Sequence, residues 1–550
     1  MEASRTSSSN NRIKACTPRG VRGQAMVLFL VLAGVLCLGV VLLFDTGQAV
    51  NKKVKLVHTA DAAAYSVAVQ EAKALNFAAY MNRAQVANEV AISQVVSMWS
   101  WANMLHTHTV VGYQRFTALA ITAAASVVLS PAAPALEGIA RAYKAAERII
   151  ANGRKGLYEV LTIGGVIPGM ESGLIEGLSR LNSGYSAAAG LVVDYVGAAD
   201  GYLIATDVVT KNDSTAKFSA VAKALLIDQL GHATSHNVPS LQGDPLLNSY
   251  SKDTNDATGM NRFRNVVMGS RDEFSAKRGL NAGISLAGVI GIELGTWGGT
   301  DLVDYDRWAG MDTMFLEIEL FGPIPDINIP FGWGGAQAVK NKPPLPSFLP
   351  GIQSGEDGGD GWYSHEHERN YDPYGESRGL TADWADKYPS VDAPWLVGAT
   401  DKGLNDKTDA YFEDYQGLQP YHGVNDAYAN TPEGEEAGPM FTVYIYSDQS
   451  DARVSEDTPI GAPDGSGLAL DAKMNNNRIT AISTAQTYFN RPPDHSLFQR
   501  LVPREWSGDP ESDEDLEKGN LFSPYWQARL VKTPTRLYLL AGAAELLGAP

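Results

Sequence analysis

The sequence predicts an α+β protein: a single N-terminal transmembrane helix continuing into a long amphipathic helix, a helical bundle, and then a mostly antiparallel β-rich C-terminal domain with long loops. Three observations predict it. Ala25 to Phe44 is twenty residues without a charge or a proline. No proline occurs between Pro18 and Pro131 and no glycine between Gly47 and Gly112, so that stretch is free to be helical far beyond the globular average. After about residue 300 the apolar spacing shortens to two, in β-branched and aromatic runs.

At 1.5 Å per residue, Ala25–Phe44 makes roughly 30 Å of helix, one hydrocarbon thickness. The unbroken length favours a retained transmembrane helix over a signal peptide cleaved near Ala49. Arg5, Arg12, Lys14, Arg19 and Arg22 precede it and Lys52, Lys53 and Lys55 follow it, a modest bias toward a cytoplasmic N-terminus. The body would then lie in the periplasm, with the helix in a bacterial inner membrane. The chain reads as a basic cytoplasmic leader (1–24), the transmembrane helix (25–44), a helical stalk and bundle (45–235), a mixed connecting region (236–300) and an α+β extracytoplasmic domain with long loops (301–550).

Beyond the membrane, Val50, Val54, Val57, Ala60, Ala64, Val67, Leu75, Ala79, Val86 and Val90 form a narrow apolar stripe opposite Lys53, Gln70, Lys73 and Arg83. This is a stalk expected to end near residue 105, with His106 and His108 as C-terminal caps. Ala118–Leu129, closed by Pro131, is too short to span and reads as a buried helix. Glu137–Gly153 is expected to be helical with Gly153 as its C-cap, and a further helix is expected from Ser214, its N-cap, to near Gly231. Thr313–Gly322 alternates as a half-buried strand, and Met440–Asp448, Arg478–Pro492 and Tyr525–Val531 read as strands. Between them, 322–382 and 400–440 are rich in Pro, Gly and Asp and read as loops.

The net charge is −18, and the segment up to Phe44 is itself positive, so the body is strongly acidic, which argues against nucleic acid as a partner. Cys16 and Cys37 are the two cysteines, so nothing beyond Phe44 can form an intrachain disulfide.

Candidate chemistry is sparse. His365 and His367 would share one face of an extended segment near Asp357 and Asp360, a weak metal candidate without a recognisable third ligand. His232 and His236 have i, i+4 spacing, but Gly231 and Pro239 place them at a helix end. Ser447–Asp451 follows a strand as the metal-adhesion loops of von Willebrand A domains do. Ala452 departs from the Asp-x-Ser-x-Ser such a loop needs, so the stretch reads as a turn. Gly508–Asn520 is rich in oxygen ligands but lacks calcium-loop spacing. No Gly-x-Ser-x-Gly elbow or phosphate-binding Gly-Lys-Ser/Thr loop occurs, so the sequence gives no positive support for an enzyme or a cofactor. A membrane-tethered envelope hydrolase or metal-dependent binding protein using His365 and His367 is the alternative reading.

Three stretches resemble the TadE/TadG-like proteins of the tight-adherence (Flp) pilus systems of bacteria: Arg22–Leu32 (RGQAMVLFLVL), His58–Ala72 (HTADAAAYSVAVQEA), and the pair Ala485–Asp494 with Leu521–Val531. The resemblance implies a nonenzymatic, membrane-anchored component of a pilus or secretion apparatus whose partners are other proteins of that apparatus. It also makes Gly23 the last leader residue and Gln24 the first residue after it. Processed members of the family carry glutamate where Leu28 stands, so the resemblance favours an uncleaved leader and a permanent anchor.

Overall fold

The computed structural model describes residues 22–162, 173–194, 200–234, 245–250, 259–276, 278–286, 290–320, 327–339, 411–412, 415–425, 438–448, 451, 478–490 and 519–546. It is a mixture of helices and antiparallel sheet built along one long apolar N-terminal helix. Helix α1 (Arg22–Ala125) runs 104 residues without interruption. The expected end near residue 105 is no end, so His106 and His108 lie inside the helix and cap nothing.

The predicted stripe is buried at Ala60, Ala64, Val67, Leu75 and Ala79, each at most 1 % exposed. The buried surface is wider than a stripe, however, taking in Leu56, Ala63, Ala68, Ala72, Ala74 and Ala78. Beyond its first turns outside the span, this part of α1 is therefore the central helix of the head, with elements packed on several sides, and its many alanines let them approach closely. Val50 and Val54, at the N-terminal end of the stripe, stay exposed.

Helix α2 (Ala133–Thr162) folds back on α1 through a 3₁₀ turn at Ser130–Ala132. Pro131 and Pro134 fit this turn, where missing N–H groups cost nothing. The hairpin is antiparallel: Tyr143 stacks on Phe116 and meets His108 edge-on, and Arg154 donates to Asn103. Gly153 passes through the interior of α2 and does not cap it. A Cβ on Gly112 would lie 2.3 Å from the Tyr143 ring, so glycine admits the second helix here. Gly112→Ala is expected to pry the hairpin apart at a cost of about 1–2 kcal/mol. Faster hydrogen exchange confined to residues 103–157 is the check.

Helices α3 (Leu174–Leu191), α4 (Gly201–Asn212) and α5 (Ala220–Thr234) follow. Ser214 does not cap α5. Lys217–Phe218 forms the short strand β1, and Ser219 accepts from the Ala222 N–H at 3.1 Å; α5 then continues past Gly231 to Thr234. Strand β2 (Leu247–Tyr250) pairs with β8 (Tyr421–Val424), and α6 (Gly259–Gly269) and α7 (Glu273–Ala276) lie between them in the chain.

The expected strands appear as β9 (Met440–Asp448), β10 (Arg478–Phe489) and β11 (Trp526–Val531), in an antiparallel sheet ordered β1-β9-β10-β11. Phe441, Val443, Ile445, Ala481 and Ala485 pack in one core with Leu56 to Ala68 of α1 and with α4 and α5. Helix α8 (Thr535–Leu546) follows β11.

A second sheet contains β3 (Arg278–Leu286), β4 (Ile290–Asp304), β5 (Arg307–Leu320) and β6 (Ile327–Val339), antiparallel in that order, with β7 (Tyr411–Phe412) added in parallel. It begins before residue 300, in the stretch read as connecting, and β6 lies inside the stretch read as loop. The register slips where Met314 pairs with Gly332 but Phe315 pairs with Pro330. Phe331 is thus an extra residue in the ladder, the position at which a proline is tolerated. The bulge turns Phe331 into the α-hairpin, within 4.9 Å of the His108 ring centroid and 6.2 Å of that of Tyr143.

The α1 turns carrying Ala118–Ala125, and the turn after them, are not the buried helix the sequence predicts. Leu119, Ile121, Val127, Val128 and Leu129 are exposed at the tip of the hairpin.

Candidate functional site

Among the described residues one helix, α1, is long and apolar enough to cross a membrane. Met26 to Leu32 are all exposed, a surface that water does not stabilise and lipid does. Gly23 and Gln24 belong to the first turn of α1, and Leu28, one turn on, is exposed.

Just past the span, α1 is clamped to the head. Lys52 Nζ lies 2.9 Å from Asp213 Oδ2, with both side chains nearly buried, and also donates to Thr215 Oγ1. Burial works against ionisation of Asp213, but donation from Lys52 and Thr215, together with the Lys52 charge, holds its carboxyl below the usual range. Lys53 donates to the Thr480 carbonyl on β10.

Further along, α1 carries a row of buried polar residues: Asn82, Gln85, Glu89, Ser93, Ser97, Ser100, Asn103 and Thr107. Their spacing of three or four places them on one side of the helix. Asn76 works as a strand edge would, donating to the Trp526 carbonyl and accepting from its N–H, each at 2.9 Å. Asn82 Nδ2 donates to the carbonyls of His422 and Leu521, at 3.0 and 2.7 Å. Ser97 donates to Thr300 Oγ1 at 2.7 Å.

Glu89 is the hub. Its Oε2 accepts from Trp308 Nε1 at 2.8 Å and from Tyr415 Oη at 2.9 Å, and its Oε1 accepts from Asn182 Nδ2 at 2.8 Å. Burial pushes its pKa up, and the three donors oppose that shift. Behind it, Arg278 grips Asp312 with Nε at 2.6 Å and Nη2 at 3.0 Å, and Arg271 Nη1 lies 2.6 Å from Asp301. Burial raises the Asp312 pKa against the pull of Arg278. His108 is held neutral by burial, which lowers its pKa, and its Nδ1 donates to the Phe331 carbonyl at 3.1 Å. This arrangement is a latch. Its carboxylate, amides and hydroxyls join α1 to segments 93 to 450 residues away in the chain.

The sequence reading missed this seam. Its available signal was the row from Asn82 to Thr107, which holds Asn, Gln, Ser, Thr and a single Glu at helical spacing, with no Lys or Arg. Of the metal candidates, His365, His367 and His236 lie outside the described residues, and so does 508–518. His232 is buried inside α5. Asn520 Oδ1 accepts from the N–H groups of Phe522 and Ser523, both at 2.9 Å, which closes a turn. Among the described residues no three His, Cys, Asp or Glu side chains are grouped to hold a metal ion.

Residues 23–70 match a family model described as putative Flp pilus-assembly TadE/G-like. No curated protein and no solved structure matches the chain. The matched span starts at Gly23, covers the whole apolar segment, and runs on to the part of α1 that sheet β9-β10-β11 covers. The chain thus opens with a TadE/G-like Flp pilus-assembly segment, which supports a role in pilus assembly.

Proposed function

We propose that this chain is a nonenzymatic component of a Flp-type pilus assembly or secretion apparatus, held in the bacterial inner membrane by Ala25–Phe44 and acting through protein–protein contacts of a periplasmic head. The observation that carries the proposal is the continuity of α1: the residues that match the family model pass without a break into the helix on which the head is built. A helix that joins bilayer and head rigidly suits a positioning part. Asn82 and Glu89 of the seam are engaged in holding that helix.

Two measurements test the reading. Protease added to spheroplasts is expected to digest the head while leaving the residues before Arg22 protected; a protected head would overturn the periplasmic placement. The intact mass of the purified protein is expected to include residues 1–23, because Leu28 stands where processed family members have glutamate. A chain beginning at Gln24 would show that processing does not need that glutamate.

A further inference from the structure

The α1–α2 hairpin is held differently from the seam. A carboxylate and amides tie the seam, whereas α2 meets α1 and β6 largely through rings. His108, Phe116, Tyr143 and Phe331 form one cluster of edge-on and stacked contacts. The backbone of β6 lies directly on α1 there, since a Cβ on Gly332 would come within 2.7 Å of the His108 Cβ. His108 is thus fixed where three elements meet. Two residues before it, His106 has a buried Nδ1 with no hydrogen-bond partner.

The charged groups around this pair are mostly cations. From α2 comes Arg154, which acts on His106 through space and donates to Asn103 at 3.3 Å. The same helix supplies Lys144 and Glu147, whose Nζ and Oε2 lie 2.6 Å apart. From α1 comes Arg115, 5.5 Å from the centre of the Phe331 ring. Strand β6 has no charged residue, and burial raises the pKa of Tyr143, so its hydroxyl keeps its proton. His108 meets two aromatic rings and one carbonyl, and no carboxylate. A proton added to either imidazole therefore brings charge to a place where two guanidiniums and an ammonium accompany a single, already paired carboxylate.

The sign of the pH effect follows. Burial lowers the His106 pKa from 6.5 to about 4, Arg154 adds to the drop and Glu147 opposes it. Burial lowers that of His108 as well, against the bond to the Phe331 carbonyl. An opened hairpin returns both rings to water and to the ordinary value. Above pH 6.5 neither form takes up a proton and closure keeps its full stability. Between 6.5 and 4 the open form binds protons that the closed form refuses, so closure weakens as pH falls.

We propose that His106 and His108 make the α1–α2 hairpin a proton-sensitive clasp, shut while both rings are neutral and released from α1 and β6 when mild acid charges them. Release uncovers Phe331 and the α1 face from Asn103 to Phe116, and it leaves the Asn82–Ser100 part of the seam in place. The clasp is a local unit that opens without unfolding the head.

The test is hydrogen exchange of the detergent-purified full chain at pH 7 and pH 5, expressed as protection after correction for the intrinsic pH dependence of exchange. The full linkage for His106 alone is roughly twentyfold between these values, and because the ring is not wholly shut off from solvent, a fall in protection of about tenfold over 103–157 is expected. Protection over 82–100 is expected not to fall. In H106Q/H108N, where neither side chain titrates, protection over 103–157 is expected to be the same at both pH values. Arg154→Gln keeps both rings and removes the neighbouring cation. It is expected to shrink the acid-induced fall at least about twofold, whatever it does to closure at pH 7, and it decides the matter if H106Q/H108N is already open there. Equal wild-type protection at the two pH values overturns the proposal, and so does a fall shared by 82–100. An undiminished fall in Arg154→Gln, or in an H106Q/H108N chain that is closed at pH 7, overturns it as well.

Discussion

Glu89→Ala is expected to lower the stability of the head by about 4 kcal/mol. The mutation removes one carboxylate but strands three buried donors: Trp308 Nε1, Tyr415 Oη and Asn182 Nδ2. Each is buried against Glu89, so loss of the carboxylate takes away its acceptor at a desolvated site. Glu89→Gln is expected to cost about half as much, because it keeps one acceptor but turns an N–H toward a donor. Tyr415→Phe, which removes one donor and leaves Glu89 two others, is expected to cost about 1 kcal/mol. In the double mutant Glu89→Ala/Tyr415→Phe the losses should sum to less than the two single losses, since the second change removes a group the first had stranded. Denaturant midpoints of the detergent-purified chain, with hydrogen exchange over 82–100, read all of these. An additive double mutant would show that Glu89 and Tyr415 do not act on each other.

Glu71 is the opposite case, and its removal should stabilise. It is buried on α1 with no hydrogen-bond partner for either oxygen, and burial pushes its pKa from 4.5 to about 8. Below pH 4.5 the carboxyl is protonated in folded and unfolded chains alike and exerts no pH-dependent cost. Between 4.5 and 8 the unfolded chain ionises while the folded one keeps its proton, so stability falls as pH rises. Above 8 the loss is complete. Glu71→Met is therefore expected to raise stability at pH 7 by up to about 3 kcal/mol. It should also flatten the decline between pH 4.5 and 8, while leaving stability at pH 4 nearly unchanged. Melting curves of wild type and variant at pH 4, 6 and 8 decide it. Parallel curves would mean that Glu71 reaches solvent.

The parts of this fold that the sequence discloses depend on neighbours close in the chain. The apolar span, the unbroken helix after it, and the strands at Met440, Arg478 and Trp526 all follow from local composition and spacing. Of the second sheet, the alternation from Thr313 discloses β5; β3, β4 and β6 are not legible, because their glycines and Pro330 lower strand propensity while serving contacts made elsewhere. Gly310 and Gly332 let β5 and β6 lie directly on α1, and Pro330 sits at the bulge that aims Phe331. Helix ends were misread for the same reason. Gly153 and the pair His106 and His108 resemble terminators, yet α2 and α1 are held helical beyond them by packing in the hairpin. The latch was the least legible feature. Glu89 reads as an ordinary surface glutamate until Trp308 and Tyr415, both more than 200 residues away, are brought to it.

The contacts of Asn76 and Asn82 also set an order of events. Both residues emerge from the ribosome early, and both bond to residues 521–526, some 440 residues later. At typical synthesis rates that interval is roughly half a minute or more. Throughout it the alanine face of α1 stands without its cover. Completion of the head is thus timed by the arrival of Trp526, and whatever shields α1 until then is part of the protein's biogenesis.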